Sequence, residues 1–442
     1  MTSWRHCSPA ERSRDASASP GSLCYARSHT FSEHAVTLRL YSALGREIRD
    51  FRPVTPGRAS MYVCSVTPYD VTHLGHAFSY VQFDTLRRYL VYKGFNTRYV
   101  QNVTDIDDDM IMVSKRQGGR PIAEIRDEND AIFRADLDRL NVLRPHAYPY
   151  ATDHIPEIIE ATAKLIENGN AYVVGGDVFF EAATFDRYGA LNGLSFAALG
   201  KLENPESKRA EKKRGHLDFL LWQEVAPGDP SWDSPWGPGR PGWSIECTAM
   251  SVKHLGAQID IHGGGSDLIY PHHENEIAQA ECAYGPAPFC GHWLHNGMLQ
   301  LDSVKMSKSL GNLVLARVLM QTYEPDHLRL YLLSTHLRKD ANYHSGDLDA
   351  LTARYERLKA AANAQAVQPA GAPASPLQRA FEAEMDNDFQ APAALDLLDQ
   401  AASRVLAGTA PDGEAAALRE ALATMGFAFA GGRGPATGDL NP

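Results

Sequence analysis

The apolar positions of the chain first take on a regular period near Val36. VTLRLYSAL and ASMYVCSV are short runs rich in β-branched and aromatic residues, the composition of buried strands. The second runs into TPYDVTHLGHAFSYVQFDTLRRYLVYKG. There the apolar spacing predicts an amphipathic helix that stops at Gly94. NTRYVQNVTDIDDDM then reads as a further strand closing in a carboxylate-rich turn. Strand, helix and strand in this order predict a parallel βαβ unit and a nucleotide-binding α/β fold.

From about residue 120 to 240 the pattern changes. HIPEIIEATAKLIENG has helical spacing, AYVVGGDVFFEA reads as a hairpin, ESKRAEKKRGH is a charged loop, and PGDPSWDSPWGPGRPGW is a Pro/Gly/Trp-rich segment. This stretch reads as an insertion between two halves of one nucleotide domain. The α/β pattern returns with QIDIHGGGSD and the helix PHHENEIAQAECAYG, and the chain is helical beyond GNLVLARVLM. The expected organisation is a disordered leader (1–35), the first half of a Rossmann-like parallel-sheet catalytic domain (36–120), an inserted connective domain (121–240) and the second half of the catalytic domain (241–315). A helical stem-contact region (316–360), a linker (361–376), a C-terminal helical domain (377–430) and a disordered tail (431–442) complete it.

Composition narrows the class. A chain of 442 residues exceeds one compact core, so several units are expected. No apolar run reaches the roughly 18–20 residues that span a bilayer, and the Ser/Arg-rich leader carries Glu11 and Asp15, which weaken a transit-peptide reading. Cys7, Cys24, Cys64, Cys247, Cys282 and Cys290 are sparse, as in a reducing compartment. We expect a cytoplasmic monomer with no membrane partner. The net charge of −11 argues against a generally basic nucleic-acid binder but allows a local basic face.

Two stretches carry candidate chemistry. In PYDVTHLGH, His73 and His76 sit where a strand gives way to a helix, a place that offers ring and backbone N–H groups and the positive helix end to a phosphate. Gly75 lets a flat base approach the backbone, and Pro68 precedes the turn. In KMSKSLGN, Lys305 and Lys308 flank a short loop suited to charge that develops on a leaving pyrophosphate. Either stretch alone also fits a solvated turn; together they are a specific pair.

HLGH with KMSKS resembles the signature pair of class I aminoacyl-tRNA synthetases. MYVC, NVTDIDD, WSIECTAMS, DIHGGGSDLIYPHHENEIAQ and KMSKSLGN resemble cysteinyl-tRNA synthetases more narrowly, over roughly residues 36–430. The resemblance implies ATP with Mg2+ as substrate, no covalent enzyme intermediate, and one Zn2+ held by Cys64, Cys247, His272 and Glu276. In PHHENE, Pro271 suits a first helical turn, which would place His272 and Glu276 on one face. Zinc would answer a selectivity problem, because shape alone gains only about 1–3 kcal/mol between substrates as alike as cysteine and serine. The resemblance further implies that His262, Asp267 and Trp243 shape the cysteine pocket and that Thr67 bonds the substrate carboxylate. His273 reads as a structural neighbour, and the acidic run Asp105, Asp107, Asp108 and Asp109 as a magnesium site at most.

The acceptor of the activated cysteine is open at this level. TPYDVTHLGHA, the Ser65 that follows Cys64 in place of glycine, and an early end with no basic segment after Gly426 resemble a related ligase, which passes cysteine to the amine of a glucosaminyl-inositol in mycothiol synthesis. Glu276, KSLGN and EMDNDFQAPAAL instead resemble the tRNA ligase, and the basic loop Lys208–Arg214 fits either a contact with an acceptor stem or a plain solvated loop. The balance favours tRNA(Cys).

Overall fold

The computed structural model describes residues 38–69, 72–202, 209–306, 310–364 and 374–431. The leader, Cys7, Cys24, Lys208, Lys308, most of the linker and all but the first residue of the tail lie outside the described residues.

A hairpin of β1 (Arg39–Ser42) and β2 (Glu47–Asp50) comes first, so VTLRLYSAL supplies a hairpin strand, not a strand of the central sheet. β3 (Arg58–Val63) leads into α1 (Leu74–Tyr92), and β4 (Asn96–Gln101) returns parallel to β3. Three helices follow: α2 (Asp108–Arg116), α3 (Ile122–Arg139) and α4 (Ile155–Glu167). β5 (Ala171–Val174), β6 (Asp177–Phe180), β7 (Phe219–Glu224) and β8 (Gly239–Pro241) form an antiparallel sheet in chain order, with the single turn α5 (Phe196–Leu199) between β6 and β7. The hairpin β5–β6 was legible in the sequence. β7 and β8 were not.

α6 (Trp243–Leu255), β9 (Ile259–Gly265), α7 (Glu274–Tyr284) and β10 (Cys290–Asn296) restore the parallel sheet, whose order is β10-β9-β3-β4. The strand that follows β3 joins it on one side, and β9 joins it on the other. The order therefore reverses between β3 and β9, and open parallel sheets bind ligands beyond the carboxyl ends of their strands at such a point. β11 (Leu299–Leu301), β12 (Val304–Lys305) and β13 (Ala341–Tyr343) make a small third sheet. α8 (Ala316–Thr322) and α9 (Pro325–Leu333) lie between β12 and β13 in the chain, and α10 (Asp347–Asn363), α11 (Pro376–Asp386), α12 (Ala391–Leu406) and α13 (Glu414–Thr424) follow.

α1 departs from its predicted character. Its pattern suggested one wet face, yet Gln82, Asp84, Thr85, Arg87 and Arg88 are all buried, because the sheet covers one side and the C-terminal helices cover another. Most of these polar groups find partners, several of them distant in the chain, as burial demands, while Gln82 Oε1 and Arg87 Nε have no hydrogen-bond partner among the described residues. Asp84 accepts from Arg88 Nε at 2.8 Å and from the Leu143 amide at 2.9 Å, and it pairs with Arg329 of α9. Arg329, at 0% exposure, also donates to the carbonyls of Leu140 and Met425, each at 2.8 Å, and to Thr85 Oγ1 at 3.0 Å. Gly426 completes the nest: its φ is +85°, and a Cβ there would lie 2.2 Å from the guanidinium.

Burial raises the Asp84 carboxyl, but Arg88, Arg329 and the Leu143 amide outweigh it and hold it below the ordinary carboxylate range. A depressed carboxyl contributes stability that is present above its unfolded pKa of about 4 and is lost as pH falls through the lower folded value. Arg329→Met should cost about 3–5 kcal/mol in urea unfolding, because Asp84 is left as a buried charge with one partner fewer. The same variant should lose part of the wild-type drop in stability below about pH 4. A midpoint equal to wild type would show that the pair is not the tie we describe.

Candidate active site and metal centre

Where β3 and β9 end, three separate segments bring four metal-ligating side chains together. Cys64 directly follows β3, Cys247 lies in α6, His272 stands in the turn before α7, and Glu276 lies in its first turn. The backbone before α7 is kinked, with an extended conformation at Tyr270 (φ −136°, ψ 131°). His272 and Glu276 still share a face, with Nε2 and Oε1 3.3 Å apart. Cys64 Sγ is 3.6 Å from Cys247 Sγ, 3.8 Å from His272 Nε2 and 3.7 Å from Glu276 Oε1. All four ligand atoms lie within 4.8 Å of one another, and all four residues are buried. This group can hold a metal ion.

Its electrostatics agree. Burial opposes a thiolate at Cys247, but the hydrogen bond from the Cys64 thiol and the neighbouring His272 outweigh burial and bring it well below the ordinary thiol range. Burial and then Cys247 push Cys64 upward. The pair thus already favours one thiolate, the form that binds metals.

A second group of donors overlaps the first: Cys64, His262, His273 and Glu276. His262 Nε2 is 3.5 Å and His273 Nε2 3.4 Å from Cys64 Sγ. Burial, followed by neighbouring histidines, holds both rings far below the usual histidine range, so they are neutral. The first group contains both thiols, and soft thiolates are the stronger ligands for a borderline-soft metal. His262 stacks on Trp293 with ring centroids 4.4 Å apart, and His273 Nδ1 lies 2.7 Å from His295 Nε2. Trp293 and His295 are partners that sequence reasoning missed. Their signal was the alternation in HWLHN, which places both on one side of β10.

The triple glycine has a steric cause at this site. A Cβ on Gly264 would lie 2.9 Å from the His273 ring, and one on Gly263 would lie 2.5 Å from Phe83. Trp243 opens α6 with its ring 4.3 Å from that of His272. Asp267 is exposed in the short turn after β9. The Thr67 hydroxyl is hydrogen-bonded to Asp107. Ser65 is absorbed into the packing, its hydroxyl accepting from Gln101 Nε2 at 3.1 Å and from the Tyr80 hydroxyl at 3.3 Å.

Further along the chain from Cys64, His73 caps α1, and its Nδ1 accepts from the Gly75 amide at 3.1 Å. That bond leaves the proton of a neutral ring on Nε2. The His76 ring stacks on it at 3.7 Å. Gly75 has a second reason to lack a side chain, since a Cβ would meet the His73 ring at 2.9 Å. Pro68 is buried just before this turn. Lys305 is exposed in β12, with its carbonyl held by Asn312 Nδ2 at 3.2 Å. Met306 packs back against the core beside Gly75.

The acidic run does not converge. Asp105 accepts from Thr152 N, Thr152 Oγ1 and Arg126, Asp107 caps α2 through the Met110 amide, Asp108 pairs with Arg240, and Asp109 is exposed. The described part of the basic loop is engaged internally: Arg209 and Lys212 pair with Asp177, and Arg214 pairs with Glu181 and lies over Tyr172. These arginines and this lysine brace the antiparallel sheet.

Comparison with known proteins agrees with this geometry. Residues 50–353 match the family described as tRNA synthetases class I (C) catalytic domain. The Cysteine--tRNA ligase of Actinobacillus pleuropneumoniae serotype 3 is 45% identical over 369 residues, covering 83% of this chain and 80% of that protein. That of Dehalococcoides mccartyi is 44% identical over 361 residues, covering 81% and 78%. In fold, the chain is similar to the Mycobacterium tuberculosis methionyl-tRNA synthetase in complex with methionyl-adenylate, with a TM-score of 0.59 at 18% identity over 84% of this chain and 90% of that one. No described helix is long and apolar enough to cross a membrane. The chain therefore belongs to the cysteine-tRNA ligase family of class I tRNA synthetases.

Proposed function

We propose that this protein is an ATP-dependent cysteine-tRNA ligase, which activates cysteine as cysteinyl-adenylate and transfers it to tRNA(Cys), and that Cys64, Cys247, His272 and Glu276 hold a zinc ion in its cysteine pocket. The carrying observation is the donor geometry. A tetrahedral zinc with sulfur at about 2.3 Å and nitrogen or oxygen at about 2.0–2.1 Å has edges of about 3.3–3.8 Å between ligands. Four of the six separations in this cluster run from 3.3 to 3.8 Å, and all six lie within 4.8 Å. Bound there, zinc supplies a soft Lewis acid that prefers a substrate thiolate to the hydroxyl of serine.

The chain's own residues divide the remaining work. His262 and Trp243 close the pocket over the substrate side chain and exclude water, and Asp267 faces the polar end of the amino acid. Thr67 orients the carboxylate by exchanging its Asp107 partner for substrate. The carboxylate oxygen attacks the α-phosphorus of ATP, the bond to the bridging oxygen breaks, and pyrophosphate leaves with Mg2+. His73 and His76 donate to the phosphate oxygens as charge moves onto them, while Lys305 and Lys308 neutralise the pyrophosphate. Gly75 and Pro68 shape the nucleotide side. The 2′- or 3′-hydroxyl of the terminal tRNA nucleotide then attacks the acyl carbon and releases AMP. The relatives described above carry the tRNA-ligase name, and this supports tRNA over the amino sugar as acceptor.

Three experiments test this reading. Purified protein should charge tRNA(Cys) with labelled cysteine; acylation of glucosaminyl-inositol with no charged tRNA would reverse the choice of acceptor. His76→Ala should lower cysteine-dependent ATP–pyrophosphate exchange about 10²–10³-fold, and an unchanged rate would remove the histidine from the phosphate site. Metal analysis should find zinc in the wild type, none in His272→Ala and less in Glu276→Ala. Wild-type zinc content in both variants would refute the ligand set.

A further inference from the structure

α6 carries Cys247 and packs against α7, which carries Glu276 and follows directly on His272. Between the two helices lies a polar bridge. Thr248 Oγ1 donates to Gln279 Oε1 at 2.6 Å, and Gln279 Nε2 donates to Ser244 Oγ at 2.9 Å. Ser244, Thr248 and Gln279 are each 0% exposed. A buried amide and two hydroxyls add nothing that an apolar side chain of equal volume could not supply as packing, and they cost free energy unless every partner is in place.

What the bridge supplies is register. Ser244 and Thr248 are one helical turn apart on the same face of α6, and a single planar amide reaches both. An apolar contact would let α7 slide or roll along α6, whereas two hydrogen bonds from opposite ends of one amide oppose both motions. Thr248 follows Cys247 directly, and Gln279 lies three residues beyond Glu276 on the same side of α7. Any slip between the helices therefore moves the Cys247 sulfur relative to His272 and Glu276.

We infer that Gln279 is a positioning residue of the metal centre, which sets the placement of Cys247 against His272 and Glu276 through Ser244 and Thr248. The inference rests on the metal reading above.

The test uses the full chain carrying Gln279→Met, Thr248→Val, or both. Zinc release to an excess of a chromogenic chelator is timed, the visible spectrum of the cobalt-substituted protein is recorded, and KM values for cysteine and ATP are measured in the exchange reaction. Each single variant should release zinc about tenfold faster, shift the cobalt bands and raise the KM for cysteine while leaving that for ATP in place. The double variant should be no worse than either single one, because the two changes break one bridge. Ser244→Ala, which keeps the Thr248 bond, should fall between the wild type and Gln279→Met and serves as the milder variant if the others fail to fold. Folded variants with wild-type release and a wild-type cobalt spectrum would overturn the inference while leaving the ligand set standing, and so would strictly additive effects. A wild-type protein that holds neither zinc nor cobalt would overturn the metal reading and this inference with it.

Discussion

Two thiols, an imidazole and a carboxylate are withdrawn from water at one point, and most of the architecture follows from bringing them there. Buried thiolates and carboxylates are costly unless a cation or a full set of donors faces them. Cys64, at the end of β3, is separated from Cys247 by 183 residues and from Glu276 by 212. Only a sheet that places β9 directly beside β3, Met61 opposite Ile261 and Val63 opposite Gly263, closes that gap. The same register carries His262 to the sulfur of Cys64 and leaves a strip of glycines where side chains would collide with Phe83 and His273. The triple glycine is thus part of the donor cluster, although it contributes no ligand.

α1 is the second organising element, and it joins the chemistry to the helices at the C-terminal end of the described chain. Its first turn carries the histidine cap. Its middle is fixed by the Asp84–Arg329 nest, and its end meets α11: the Tyr89 hydroxyl donates to Asp386 at 2.7 Å, Lys93 pairs with Asp386 at 2.9 Å, and the Tyr92 hydroxyl donates to Glu382 at 2.6 Å. One helix therefore spans from the His73 turn to the helical bundle. Such a shaft suits an enzyme whose acceptor is a macromolecule held at a distance from the reacting phosphate, because a rigid connection preserves the alignment on which proximity effects depend.

How much of this was legible in the sequence depends on whether the partners are local. The turn at His73, the hairpin β5–β6 and the i, i+4 pair of His272 and Glu276 are each defined within a few residues, and each is found where the pattern places it. β7 was missed because FLLWQE is nearly all buried and shows no alternation, so its period carries no signal. α1 was misjudged because its polar face is covered by segments about 250 to 340 residues away, such as Leu332 and Met425 bonded to Gln82 and Thr85. The acidic run resembled a cation site because its carboxylates are adjacent in sequence. In space, Asp108 faces Arg240 from 132 positions further on, and Asp105 faces Thr152 from 47. Adjacent charges show where the chain turns, while their partners are set by the fold.

The histidines behind the cluster follow from its charge. With the proposed ion bound, two thiolates and a carboxylate would outweigh a divalent cation, and a substrate thiolate would add to the excess. Protonated imidazoles would neutralise it but would also compete with the metal for the sulfur. Burial prevents this by keeping His262 and His273 neutral, so that each can offer an N–H dipole without a full charge. For His273 to donate from Nε2 to the Cys64 sulfur, its Nδ1 must accept, and the partner at 2.7 Å is His295 Nε2. Burial holds His295 neutral as well, at about 3, so its single proton has to sit on Nε2. In that tautomer the relay runs from His295 through His273 to Cys64, so a side chain in β10 sets the polarity that the neighbouring ring presents to the sulfur.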